Sequence, residues 1–366
     1  MADERADRAR SAVRAWLDEH PSPSGRELAE AGYVTPHWPH PWGHDATPAE
    51  QLVIDEELKV AGVRRPVNPI GIGWAGPTLM AAGTPEQQQR WLPGALSGEE
   101  FWCQLFSEPG AGSDLSALTT TAVRDGDEWI VSGQKVWTSY AHLATWGILL
   151  ARTDPEAERH HGISYFVCPM DAPGVEVRPL VDMRGEHTFN EVFLDEVRIP
   201  SENLVGQVND GWRLAKVTLA NERVSLSGEG LLWGMGPDMD ALISLAIACG
   251  PLPPVLRDRT VRLWQRSRVL DLLKRRLVAA AVAGRQPGPE ASVRKALADE
   301  VGQDAGELAV ELLGLAGIAE VAGDPNGWWQ SVFLMGPALT IGGGTSVVQR
   351  NIISERVLGL PRDAEG

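Results

Sequence analysis

The chain has 366 residues, enough for two or three cores of ordinary domain size. Its 33 basic and 49 acidic side chains leave a formal charge of -16, which excludes nucleic acid and anionic membrane surfaces as partners, because both need a basic footprint. Cys103, Cys168 and Cys249 fit no metal spacing, the N-terminus has no apolar leader, and no apolar run approaches about 18 residues; a cytoplasmic protein with free thiols, no membrane span and no metal is expected.

Residues 1–100 read as helices joined by short loops. "RARSAVRAWLDEH" places Val13, Trp16 and Leu17 at helical spacing, and "TPAEQLVIDEELKVAG" starts on a Thr47 cap with Pro48 in its first turn. "GTPEQQQRWLPGALSG" repeats that start, and Pro93–Gly94 is expected to end or bend its helix. The Pro/His/Trp-rich "TPHWPHPWGHD" between them reads as a loop. From 101 to 203 the period falls to two. "EWIVSGQKVW" alternates, "DGD" at 125–127 signals a hairpin, and strand-like runs follow at "TWGILLAR", "ISYFVCP", "VEVRPLV" and "NEVFLDEVRIP". From 204 to 366 the pattern is helical again, with candidate helices at 210–226, 238–249, 255–284, 290–316 and 346–357. The expected class is α+β: an N-terminal helical domain, a central antiparallel β domain and a C-terminal helical bundle. The absence of strand–helix alternation argues against a doubly wound nucleotide fold.

Three motifs carry chemistry. "LFSEPGAGSDLSA" (105–117) reads alone as a glycine-rich loop, yet its free amides and hydroxyls suit a ring edge and a phosphate. "GQKVWTSYAHLATW" (133–146) puts Trp137, Thr138 and Ser139 at a strand end; a tryptophan there is either core or the wall of a flat ring system. "IGGGTSVVQRNIISERVLGLP" (341–361) runs three glycines into a Thr/Ser-started helix, which suits close backbone approach to a ligand.

In this order, on a helix–β–helix plan, the three pieces resemble the acyl-CoA dehydrogenase family of flavoproteins over nearly the whole chain. The resemblance implies FAD, an acyl-CoA substrate and electron transfer to an electron-transfer flavoprotein. It places Gln104, Phe106 and Ser107 along the isoalloxazine and Trp137, Thr138 and Ser139 near its N5 edge. Gly112 and Ser113 would lie near the phosphates or the thioester arm, Thr345 would approach from the C-terminal domain, and Ser113 and Arg223 would meet substrate.

The chemistry needs one carboxylate beside the substrate α-carbon. Many family members carry it just before the Gly-Thr of the C-terminal motif, where this sequence has Gly343. Members similar to the isovaleryl and long-chain enzymes carry it on another helix, directly before an Arg. Here that is Glu222–Arg223, set inside the apolar "VTLANERVSLS", where the stretch by itself reads as a solvated helix edge. The missing carboxylate at 343 and the odd one at 222 explain each other, so Glu222 is the expected base, its pKa raised by an apolar pocket. The Gly343 N–H, with a flavin ribityl hydroxyl, would still face the enolate oxygen.

Other positions depart from the family. The common Arg–x–x–Phe–Gly grip on a neighbour's cofactor phosphates is replaced by "ACGPLPPVLRDRT", with Arg257 and Arg259 as substitutes. The Gln-led diglycine is replaced by "ELLGLAG", with Glu311 where Gln is expected and Leu315 for the second glycine, and Val347 replaces a polar residue. Such changes resemble a bacterial branch acting on bulky acyl-CoAs, some of it two-subunit. A homo-oligomer and a heterotetramer with a related subunit both stay open, as do a flavin oxidase or monooxygenase on the same fold and a subunit that only completes another chain's site. The loop at 228–240, broken by glycines and Pro237, is expected to widen the acyl pocket.

Overall fold

The computed structural model describes residues 2–226, 239–282, 288–319 and 327–362. The backbone divides into two compact units, 1–182 with 187–221 and 183–186 with 222–366.

The first unit opens with helices α1 (Ala2–Glu19), α2 (Gly25–Glu30), α3 (Pro48–Val60), α4 (Gly76–Ala82) and α5 (Pro85–Ser97). Three of them start on reciprocal capping boxes: Ser24 with Glu27, Thr47 with Glu50, and Thr84 with Gln87. Pro48 and Pro85 sit in the first turn, where a missing N–H costs nothing. Pro93 does not end α5, which runs on to Ser97. Buried Leu92, Ala95 and Leu96 hold the last turn, and Gly98, with φ of 77°, closes it. Arg10 and Arg14 of α1 converge on the buried Glu57 of α3. Asn68 joins these helices to the sheet: its amide donates to the carbonyls of Ala95 and Glu100 (both 2.9 Å), and its oxygen accepts from Trp102 N–H (3.3 Å).

The sheet contains β1 (Trp102–Leu105), β2 (Thr121–Asp125), β3 (Glu128–Ser139), β4 (Trp146–Arg152), β5 (Ile163–Pro169), β6 (Val175–Leu180), β7 (Phe189–Pro200) and β8 (Leu204–Val205). Its order is β6-β7-β3-β2-β4-β5-β8, with β1 beside β4. Most pairs are antiparallel, as expected; β1 lies parallel to β4, and β2 meets β4 through a single parallel pair. The 125–128 hairpin turns on Gly126, whose φ of 61° suits a tight two-residue loop. Alternation along β3 and β7 sends Trp129, Val131, Val192, Leu194, Val197 and Ile199 into one core with Phe166 and Leu149. Cys103 and Cys168 are buried free thiols in that core, and Cys249 is free and exposed.

Helix α6 (Gly211–Leu226) follows the sheet; then come α7 (Met239–Ala248), α8 (Pro254–Val282), α9 (Ala291–Leu313), α10 (Leu315–Ile318), α11 (Gly327–Leu339) and α12 (Ser346–Ile352) with a π-helical turn to Val357. The core of the second unit packs Leu242, Leu263, Val301, Ala305, Leu308, Trp329 and Val332. Helix α11 was not among the sequence candidates, because its "GWWQSVFLMGPAL" is apolar nearly all round and carries Pro337. Among the described residues no helix is long and apolar enough to cross a membrane.

Candidate functional site

The first unit brings the 104–107 and 137–139 segments together at one place. Strand β1 ends at Leu105, and Ser107 C=O accepts a hydrogen bond from Val136 N–H of β3 at 2.9 Å. Phe106 does not face outward: it is 4% exposed and meets Tyr165 edge-on, with centroids 6.0 Å apart, so its ring belongs to the core. Gln104 and Ser107 are half-buried and remain available. Beyond them, Glu108 and Ala111 exchange both backbone bonds at 3.0 Å and close a turn over Pro109–Gly110. A side chain added at Gly110 or Gly112 would meet nothing within 4 Å, so packing within the chain does not require these glycines. Gly112 and Ser113 lie exposed on this loop.

The β3 end departs from regular strand geometry. Its register against β7 slips between Lys135 and Thr138, and Trp137 there takes a φ of 60°. That conformation costs a side chain roughly 1–2 kcal/mol, and Trp137 is 64% exposed, touching Phe189 edge-on at 6.1 Å. A strained, exposed tryptophan is not core, which removes one of its two sequence readings. Beside it, the Thr138 hydroxyl is buried and has no hydrogen-bond partner among the described residues. Ser139 is 7% exposed. Asn190, opposite Thr138 on β7, donates its amide to Thr138 C=O at 3.0 Å and meets His142 Nδ1 at 3.3 Å.

Behind both segments lies a buried ion pair, Lys135 Nζ to Glu108 Oε1 at 2.9 Å. Burial draws the Lys135 ammonium down to about 8. Burial alone would raise the Glu108 carboxyl, but the Lys135 charge and the surrounding donors outweigh it and hold it down to about 2. Composition hides Lys135, since a lysine in an alternating strand is usually assigned to solvent. Its parity with Trp129 and Val131 was the readable signal that it points inward.

In the second unit, Gly343 and Gly344 take φ of 69° and 94°, as a turn of this kind requires. The Gln349 amide donates to Gly343 C=O at 3.0 Å and to Gly344 C=O at 3.3 Å, fastening the loop to α12. Thr345 caps α12, its hydroxyl accepting from Val348 N–H at 3.3 Å. Gly343 N–H meets no backbone carbonyl among the described residues. Arg259 and Glu311 are ion-paired to each other. Glu222 and Arg223 lie on α6, with side chains outside the described residues, as are residues 227–238.

Sequence profiles of the acyl-CoA dehydrogenase N-terminal, middle and C-terminal domains match residues 2–99, 103–197 and 209–358. The chain belongs to the acyl-CoA dehydrogenase family. It is 48% identical over 335 residues to acyl-CoA dehydrogenase FadE34 of Mycobacterium tuberculosis, an alignment covering 92% of this chain and 46% of FadE34. The chain thus spans about half the length of that relative. Among solved structures, the Tcur3481-Tcur3483 steroid ACAD superposes with a TM-score of 0.79 at 31% identity, covering 99% of this chain and 98% of that one. The ChsE4-ChsE5 complex from Mycobacterium tuberculosis gives 0.76 at 30% identity, with 98% of each chain covered.

The family implies FAD, and the first unit of this chain fits it. Trp137 offers an exposed flat face, Thr138 a buried hydroxyl without a partner, and the 110–113 turn open backbone.

Proposed function

We propose that the chain catalyses α,β-dehydrogenation of an acyl-CoA thioester to the trans-2-enoyl thioester. The observation that carries this reading is Trp137, held exposed in a strained conformation next to Thr138 and Ser139 and tied to the 104–107 segment. FAD held by Gln104, Ser107, Trp137, Thr138 and Ser139, with Gly112 and Ser113 toward its phosphates or the thioester arm, would supply the hydride acceptor at N5. Glu222 removes the substrate α-proton as general base. Gly343 N–H donates to the thioester oxygen as enolate charge develops, a role that survives the absence of a side chain there. Ser113 and Arg223 orient the substrate. Electrons then leave to an electron-transfer flavoprotein.

Glu222→Gln tests the assignment. The variant should bind FAD as the wild type does and lose turnover by about 100-fold or more, the usual weight of a general base. A loss under about tenfold would place the base elsewhere.

The Arg259–Glu311 pair favours a second element of the reading: a cofactor site completed by a different subunit. A glutamate next to a pyrophosphate is repulsive, and here it already occupies the arginine that would offset it. The ChsE4-ChsE5 complex, of the same fold, is an assembly of two components, which supports a second subunit here. The steroid ACAD neighbour supports a bulky acyl group as substrate.

A further inference from the structure

Lys135 carries three N–H donors, and the interior supplies three acceptors: Phe106 C=O at 3.2 Å, Leu150 C=O at 2.8 Å and Glu108 Oε1 at 2.9 Å. Glu108 is as fully occupied. Its Oε1 also accepts from Thr120 N–H (2.9 Å) and Thr120 Oγ1 (2.5 Å), and its Oε2 from Thr119 N–H (2.7 Å) and Thr119 Oγ1 (2.8 Å). Lys135 is 0% exposed and Glu108 5%. A buried pair of this kind is a poor source of stability, because apolar side chains of equal volume usually do as well. What it does fix is geometry. Phe106 C=O lies one residue before Ser107, whose own carbonyl takes Val136 N–H, and the β3 register slip begins right after Lys135. Leu150 C=O, on β4, supplies the third anchor, and Glu108 extends the hold to the turn that carries Gly110 and Gly112.

We propose that Lys135 is a positioning residue for the flavin: through Phe106 C=O, Leu150 C=O and Glu108 it sets the spacing between the 104–107 and 137–139 segments that hold the ring. The inference rests on the reading that FAD binds at these segments. Without the ammonium, the end of β1 and the 108–113 turn lose their common tether; β1 stays paired with β4, Ser107 with Val136, and Glu108 with Thr119 and Thr120. The spacing between the two edges that grip the ring is then set by those bonds without the ammonium that joins them.

The test compares wild type, Lys135→Met and the double variant Lys135→Met/Glu108→Gln, each expressed under conditions in which the wild type assembles with flavin, then stripped of it. FAD is titrated back and the Kd, the flavin absorption band shape and the melting temperature of the stripped protein are measured. The double variant leaves no unpaired buried charge but orphans the Phe106 and Leu150 carbonyls, so its stripped form should stay folded with a lowered melting temperature. Its FAD Kd should nevertheless rise about tenfold or more, the scale of losing one charge-assisted hydrogen bond's worth of preorganisation, and the flavin band should lose its fine structure. An unchanged Kd and band shape in a folded double variant would overturn the proposal. Insolubility of both variants beside a soluble wild type would assign the pair to folding alone and equally overturn it. A wild type that takes up no FAD under any assembly condition would instead sink the parent reading.

Discussion

Thr218→Val is the sharpest test of how the chain holds the helix that bears Glu222. Thr218 lies on α6 one turn before Glu222, and its hydroxyl oxygen is 2.8 Å from Thr78 Oγ1 and 3.1 Å from Tyr165 OH. All three side chains are 0% exposed, so α4, β5 and α6 meet through a dry hydroxyl cluster. Thr78 retains Trp74 C=O (2.9 Å) whatever happens to Thr218. Tyr165 depends most on the cluster: burial pushes its phenol well up, and Thr218 and Thr78 are the hydroxyls that offset this. Valine matches threonine in shape, so packing is conserved and the loss is that of one buried hydrogen-bonding partner, about 1–3 kcal/mol, with the lower half expected because Thr78 remains in reach. Urea unfolding followed by far-UV circular dichroism should show a lower midpoint at unchanged slope. Thr218→Val/Tyr165→Phe should recover most of the loss, since removing both partners leaves no orphan. A double variant whose loss equals the sum of the two singles would refute the claim that these hydroxyls act as one cluster.

Other outcomes follow from the same geometry. Trp137→Gly relieves the left-handed strain and should raise the melting temperature of the flavin-free protein, by up to about 1 kcal/mol of stability, while weakening FAD binding in the same titration. Glu108 is held at about 2 against an ordinary 4.5. A folded value below the unfolded one means its stabilisation is fully present above pH 4.5 and is lost as the pH falls toward about 2. Glu108→Gln should therefore flatten the acid limb of a melting-temperature profile in that window, and an unchanged limb would contradict the buried pair. The Arg259–Glu311 pair is about half exposed on both sides and should contribute under about 1 kcal/mol. Glu311→Gln should leave thermal unfolding nearly unchanged yet increase FAD uptake by the chain expressed alone, as absorbance near the flavin band would show.

Much of the fold was legible because local chemistry and tertiary packing agree. Thr47 and Thr84 cap their helices as their sequence spacing requires, Gly126 turns the 125–128 hairpin, and Thr345 starts α12 after the glycines. What escaped depends on partners. Helix α11 carries no clear polar stripe, its exposed side bearing Trp328 and Phe333, so periodicity had nothing to report. The parallel β1–β4 pair is a choice of neighbour, and a four-residue strand does not encode its neighbour's direction. At the site, the motifs indicated which segments matter, and the packing adds where two of their side chains lie. Phe106 was placed toward the ring and lies in the core. Lys135, in a position that composition assigns to water, is the most enclosed charge of the first unit's site. Phe106 lies past the end of β1, where no strand alternation applies, and at Lys135 the parity with Trp129 and Val131 outweighs the charge.

The C-terminal glycines bear on why the base would sit on α6. Gly343 has a φ of 69°, where any side chain is strained by roughly 1–2 kcal/mol. A carboxylate carried there would have to hold its geometry against that strain while its own amide served the thioester oxygen. With glycine at 343, the loop has only the backbone task, and Gln349 grips the carbonyls of Gly343 and Gly344 so that the turn is held by main-chain contacts alone. On the proposed reading, proton abstraction then belongs to a helix and oxyanion stabilisation to a loop. Each can be tuned without disturbing the other: Thr218 and its hydroxyl cluster govern the helix, Gln349 the loop. A chain that accommodates a bulky acyl group gains from that separation, because the side of the pocket nearest the glycines is relieved of one side chain.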